Sequence, residues 1–125
     1  MLKNRSPRIL LIDNDEHVRD ALKIFFDNSD VEFLVFQSAG EGLNSLKYQQ
    51  VDMVISDYFL PDMSGVDFLK AVAGAYPEVK RVLMATIVSE QLHLEILNAG
   101  IDQCIEKPLT VGSLDTIINR FNKDV

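Results

Sequence analysis

"VISDYFLPDMSG", residues 54–65, runs an apolar segment straight into a carboxylate: Val54 and Ile55 have the β-branched character of a buried strand, and Asp57 follows them within two residues. Pro61 then breaks the backbone, and Gly65 precedes a new apolar pattern, "VDFLKAVAGAY" (66–76), that reads as a helix. A carboxylate arriving at the end of a buried strand is costly to ionise unless something pairs with it. The stretch is a strand, a turn and a helix with an acid at the joint, and the question is what that acid is for.

The same alternation extends in both directions. "RILLI" (8–12), "EFLVF" (32–36), "DMVIS" (52–56), "RVLMA" (81–85) and "DQCIE" (102–106) are short and apolar or β-branched, and most lack the strict alternation of a sheet with one wet face. Such runs predict central strands covered on both sides. Between them lie helical patterns: Val18, Ala21, Leu22 and Phe25 in the first, "EGLNSLKYQQ" (41–50), the segment after Gly65, and "SEQLHLEILNAG" (89–100), closed by Gly100. Leu114, Ile117, Ile118 and Phe121 give the last. Five strands alternating with five helices predict an α/β fold with a five-stranded parallel sheet and right-handed crossovers.

Composition agrees and narrows the function. At 125 residues, 47% hydrophobic and 25% charged, the chain is expected to form one domain over residues 1–125. A net charge of -7 is a poor footprint for phosphate backbones, so no direct nucleic-acid binding is expected. A single cysteine, an N-terminal "MLKNRSPR" without an apolar region, and no run of membrane-spanning length predict a cytoplasmic protein without a membrane partner.

In an open parallel sheet, chemistry gathers beyond the carboxyl ends of the strands. There the sequence puts "DNDE" (13–16) after the first strand, Asp57 after the third, Thr86 after the fourth, and Lys107 with Pro108 after the fifth. Asp13 and Asp57 offer hard oxygen ligands for Mg²⁺, and either could be a nucleophile. A phosphoryl group bound there would need its oxygens neutralised, which a metal, the Lys107 ammonium and the Thr86 hydroxyl can do.

Asp13, the D-x-x-x-P-x-x-x-G arrangement of Asp57, Pro61 and Gly65, Thr86, and the Lys107-Pro108 pair together resemble the receiver domain of bacterial two-component response regulators, from Arg8 to about Phe121. The resemblance implies a flavodoxin-like doubly wound (βα)5 fold with strand order 2-1-3-4-5. It implies that Asp57 accepts a phosphoryl group from a sensor histidine kinase or phosphotransfer protein, with Thr86 and Lys107 contacting that group. It further implies Mg²⁺ held by Asp13, Asn14, Asp57 and the backbone carbonyl of Phe59, a cis Lys107-Pro108 bond, and an output domain, a target protein or a phosphorylation-dependent dimer as partner.

Three positions depart from the family pattern. Asn14 stands where a second acid is usual, which predicts weak Mg²⁺ binding unless Asp15 substitutes for it. Ile87 replaces a small residue, and Cys104 replaces an aromatic ring that rotates inward on activation. Plainer readings stand beside these: an Asp after a strand is commonly a cap, Cys104 a small buried hydrophobe, and His17 and His93 have no second ligand at metal spacing. Two further readings remain. One is a degenerate receiver serving as a constitutive interaction module. The other is a haloacid-dehalogenase-type phosphatase with Asp13 as nucleophile and Asp15 as acid/base, which lacks a further acidic strand end after Lys107.

Overall fold

A computed structural model describes residues 6–110, 112, 113, 115–117 and 119. Its strands are β1 (Arg8–Ile12), β2 (Glu32–Phe36), β3 (Met53–Asp57), β4 (Lys80–Ala85) and β5 (Gln103–Glu106), and its complete helices are α1 (Glu16–Asp27), α2 (Ala39–Leu46), α3 (Gly65–Ala75) and α4 (Glu90–Ala99). The five strands are parallel throughout, as the sequence pattern predicts, and lie in the order β2-β1-β3-β4-β5, as the resemblance implies. Of the fifth helix, residues 112, 113, 115–117 and 119 are helical, and Ile117 is buried; Leu114, Ile118 and Phe121 lie outside the described residues.

Period-two alternation along the strands sorts the core into two layers. Leu10, Ile12, Val54, Leu83 and Ala85 point to one face, where they meet Leu46, Phe68, Leu69, Val72, Leu92 and Ile96 of α2, α3 and α4. Ile9, Leu11, Met53, Ile55, Val82, Met84 and Ile105 point to the other, against Leu22 and Phe26 of α1 and against Ile117. Both faces are dry, which is why the strands read as continuous apolar runs. In α1 the buried stripe is centred on Leu22 and Phe26, with Val18 and Phe25 beside it; Ala21, expected in the stripe, is exposed.

Strand boundaries differ from the expected ones by a residue at β3, β4 and β5, for a common reason at β3 and β5. Asp52 and Asp102 stand just outside the strands that they were expected to begin. Asp52 Oδ2 accepts from Arg8 N, the first amide of β1, at 2.8 Å and Asp102 Oδ2 from Arg81 N, the second amide of β4, at 2.7 Å, so each carboxylate occupies an amide at the start of the neighbouring strand. Asp57, expected after β3, is its last residue and pairs with Met84.

Helix starts follow their caps: Asp15, Ser38, Ser64 and Ser89 each accept a first-turn amide with a side-chain oxygen. Gly100, at φ 69°, closes α4 in the left-handed region. Gly65 is required for a different reason. A Cβ on it would lie 2.1 Å from the Asp57 carbonyl oxygen, and its amide donates to Tyr58 O at 2.7 Å, so α3 begins in direct backbone contact with the end of β3.

That contact predicts that Gly65→Ala destabilises the domain by about 3 kcal/mol, at the upper end for overpacking, because the clash is with backbone. Gly74→Ala, also in α3 but with nothing near its added Cβ, should instead stabilise by up to about 1 kcal/mol. Urea unfolding of both variants checks the pair; similar midpoints would refute the backbone-contact account.

Candidate functional site

The backbone hydrogen-bond ladder runs one residue past the strands at their carboxyl ends. Asp13 N donates to Phe36 O at 3.2 Å, Tyr58 N to Met84 O at 2.9 Å, and Lys107 N to Ala85 O at 2.9 Å. The backbones beside the three candidate groups are therefore set by the sheet itself. Their side chains converge: Lys107 Nζ lies 2.9 Å from Asp13 Oδ2 and 3.1 Å from Asp57 Oδ1. Lys107 reaches Asp13 across 94 residues of sequence, and the Lys107-Pro108 bond is cis, as the resemblance implies.

Asp13 is fully buried, and its other oxygen, Oδ1, accepts from Asp15 N at 2.8 Å. The Asp57 side chain keeps 15% exposure and Lys107 17%, so both are reachable from solvent but poorly hydrated. Burial pushes the Asp57 carboxyl above its ordinary value, and the Asp13 carboxylate adds to the rise; the ammonium of Lys107 only partly offsets them. For Lys107, burial pulls downward, yet the bonds to Asp13 and Asp57 outweigh it and hold the ammonium above its usual range. Two carboxylates share one cation, leaving roughly one uncompensated negative charge.

The other expected site residues surround this contact without joining it. Thr86 follows the last residue of β4 and is exposed, as are Asn14 and, at 76%, Phe59. Ile87 is 78% exposed, and Cys104 is half-buried against the layer of α2 to α4, its thiol pushed up by burial and then by Glu106. His17 and His93 are both exposed. Among the described residues, no three His, Cys, Asp or Glu side chains form a metal-ligand group. The crest instead offers two carboxylates, the Asn14 amide oxygen and backbone carbonyls. That mixed set of hard oxygens fits Mg²⁺, which keeps several waters, better than a metal needing a full cage of side chains.

Two features were not read from the sequence. Asp15 is committed to α1: its Oδ1 accepts from His17 N at 2.9 Å, so it is a helix cap and not a replacement for the missing acid. Arg19 Nη1 donates to the Asp13 backbone oxygen at 2.8 Å and braces the loop from the helix side. The signal for Arg19 was there: a cation in the opening turns of a helix opposes the macrodipole, and is out of place unless it faces an acceptor.

A family model of the response regulator receiver domain matches residues 9–119. The chain is 31% identical over 118 residues to the hydrogenase transcriptional regulatory protein HoxA of Cupriavidus necator, covering 93% of this chain and 24% of that protein. It is 25% identical over 124 residues to the autoinducer 1 sensor kinase/phosphatase LuxN of Vibrio campbellii, covering 98% of this chain and 14% of LuxN. It thus spans a quarter or less of the length of these two relatives. Among solved structures, the signal receiver domain of an HD domain-containing protein from Pseudomonas fluorescens superposes with a TM-score of 0.91 at 25% identity, covering 99% of this chain and 92% of that one. A CheY-like receiver domain protein from Methanospirillum hungatei gives 0.87 at 28% identity, covering 94% of each. A parallel sheet of order 2-1-3-4-5 whose strand ends bring two aspartates onto one lysine, matched along nearly its whole length, makes this chain a member of the response regulator receiver domain family.

Proposed function

We propose that the chain is a phosphorylation-dependent switch in which Asp57 accepts a phosphoryl group from the phosphohistidine of a sensor kinase or phosphotransfer protein. The observation that carries this reading is the placement of Lys107 Nζ against both Asp13 and Asp57. Asp57 is the partly exposed member of the pair and can meet a donor; Asp13 is fully buried. Raising the basicity of Asp57 makes its carboxylate a better nucleophile when ionised, and Lys107 stands ready to neutralise the oxygens of the incoming group. Thr86, at the end of β4, would donate its hydroxyl to the same oxygens.

Mg²⁺ would be held by Asp13, Asp57, Asn14 and the Phe59 carbonyl, and when bound it supplies positive charge to the phosphoryl oxygens. Asp15 supports this reading over the phosphatase one, since the acid/base that the latter needs is occupied as a cap. The degenerate-receiver reading draws on Asn14, Ile87 and Cys104. It predicts the same ionic contact but no phosphoryl uptake. The relatives support this choice of partners: one is named a sensor kinase/phosphatase, LuxN, and another a transcriptional regulatory protein, HoxA. No helix among the described residues is long and apolar enough to cross a membrane, and a location beside cytoplasmic kinase modules fits the proposed role.

Cys104 has no ring to exchange between outward and inward positions, so it can supply little free-energy difference between two states of the α4 and β5 face. The signal should leave instead through the loop from Phe59 to Gly65 and through the start of α4 near Ile87.

Incubation with a small phosphodonor and Mg²⁺ should add one phosphoryl group to the wild type and none to Asp57→Asn, read by intact mass. Equal gain in both variants would sink the assignment, and no gain in the wild type would favour the degenerate reading.

Asn14→Asp should tighten Mg²⁺ severalfold. A unit charge at about 4 Å is worth up to roughly 4 kcal/mol per metal charge at an effective dielectric near 20, most of it offset by desolvation. Titration of both proteins with Mg²⁺ decides, and unchanged affinity would count against Asn14 as a ligand position.

Asp57→Asn should also raise Tm by a few degrees at pH 7 without metal. Because the carboxyl is raised in the folded state, the native protein binds more protons than the unfolded one between the ordinary value of 3.8 and the folded value. Wild-type stability therefore falls as pH rises through that window, while the amide variant lacks this slope. The gap in Tm should close as pH is lowered to about 4; a gap independent of pH would contradict the charge account.

A further inference from the structure

The loop that follows Asp57 is tied at its tip by a contact that the phosphoacceptor chemistry does not use. Phe59 and Ser64 pair across its neck, leaving Leu60, Pro61, Asp62 and Met63 as the tip. Asp62 Oδ1 accepts from Ala39 N at 3.0 Å, and Oδ2 accepts from Gly40 N at 2.8 Å. These are the first two residues of α2, whose amides have no acceptor within the helix.

The helix already carries its own capping box: Ser38 Oγ accepts from Glu41 N at 3.3 Å, and Glu41 Oε1 accepts from Gln37 N at 3.3 Å. That box leaves the Ala39 and Gly40 amides over, and Asp62 takes both from 23 and 22 residues away. Its charge suits the positive end of the helix, and the Gly40 amide, foremost among the backbone donors around it, holds the Asp62 carboxyl below its usual range. A Cβ at position 40 would stand 3.2 Å from Asp62 Oδ2, so glycine there gives the carboxylate room to seat.

We propose that Asp62 is a positioning residue: by clasping the N-terminus of α2 it fixes the tilt of the Phe59–Ser64 neck, and with it the place of the Phe59 carbonyl. This rests on the reading of that carbonyl as a Mg²⁺ ligand of the phosphoacceptor site. Pro61, next to Asp62, stiffens the tip, so a displacement of the clasp passes to the neck instead of being absorbed. Leu60 and Met63 pack against the core from the same tip, so the fold itself outlasts the loss of the clasp. The contact also gives the loop a mechanical route to α2, on the side of the domain away from β5.

The test uses the intact chain in three forms: wild type, Asp62→Ala and Gly40→Ala. Mg²⁺ binding, thermal stability and amide exchange at Ala39 and Gly40 are measured in each. Asp62→Ala should weaken Mg²⁺ binding about tenfold, as loss of a group that orients a metal ligand commonly does, and should speed exchange at both amides. Gly40→Ala forces the carboxylate to give by a few tenths of an ångström while placing a better helix former in α2. Mg²⁺ affinity should therefore fall in Gly40→Ala without a loss of thermal stability, a combination that a merely structural cap does not produce. Equal Mg²⁺ affinity in wild type and Asp62→Ala overturns the positioning role and leaves the site reading intact. Weakened Mg²⁺ binding in Asp62→Ala alone, in step with its stability, reduces Asp62 to a cap and overturns the proposal. Absence of saturable Mg²⁺ binding in the wild type overturns the metal-site reading, and this inference with it.

Discussion

The structure turns on one ammonium serving two carboxylates. Asp13 is fully buried, and a carboxylate in that position without a cation costs several kcal/mol even after relaxation. Lys107, at 2.9 Å, makes burial tolerable, and the same Nζ at 3.1 Å holds Asp57 in place. The two attractions exceed the single repulsion between the carboxylates, so the cluster is bound, but its charges do not balance. Asp57, the more exposed acid, is the one whose carboxyl is raised, first by burial and then by the Asp13 carboxylate beside it. A phosphoryl group added there would deepen the deficit by about one further charge. One lysine cannot meet it, which is the physical case for a divalent cation at this crest.

The sheet makes such a cluster possible. Because both faces of the strands are covered, polar side chains can emerge only where the strands end, and parallel strands end on the same side. The ladder bonds from Asp13 N, Tyr58 N and Lys107 N extend this order one residue beyond regular structure. The acids and the lysine are thereby placed by backbone pairing as well as by their mutual attraction. Gly65 brings α3 into backbone contact with Asp57 itself, so the acid at the joint is fixed from the strand before it and the helix after it.

How much of this could be read from the sequence follows from the range of each interaction. Continuous apolar runs and helical periodicity are local, and they located all five strands and the four complete helices. The site residues Asp13, Asp57 and Lys107 were legible because the topology sends every strand end to one crest. Asp52 and Asp102 were misplaced into strands because their bond to an amide at the start of the neighbouring strand is non-local and leaves no periodic trace. Asp15 looked like a spare acid, and only the geometry at His17 N shows it engaged. Asp62 is harder still. In sequence it is the acid after a proline in a turn, and nothing about that spacing announces that its carboxylate sits on amides at Ala39 and Gly40.

Asn14 gains a physical meaning from the same charge balance. On the proposed reading, an acid at this position would add a third carboxylate to a crest that has one lysine, and its repulsion would oppose ionisation of Asp57, whose carboxyl is already raised. An amide removes that repulsion while keeping an oxygen that can face a cation. On that reading the exchange would favour the metal-free form, held by the Lys107 ion pairs and the backbone bonds of the sheet, at the expense of affinity for the ion. In the metal-free state Lys107 is already paired with both Asp13 and Asp57, so a cation at the proposed site would have to compete with ion pairs in place. On the proposed phosphoacceptor reading, metal binding would then depend on how readily Lys107 yields Asp57 as well as on the charge of the site.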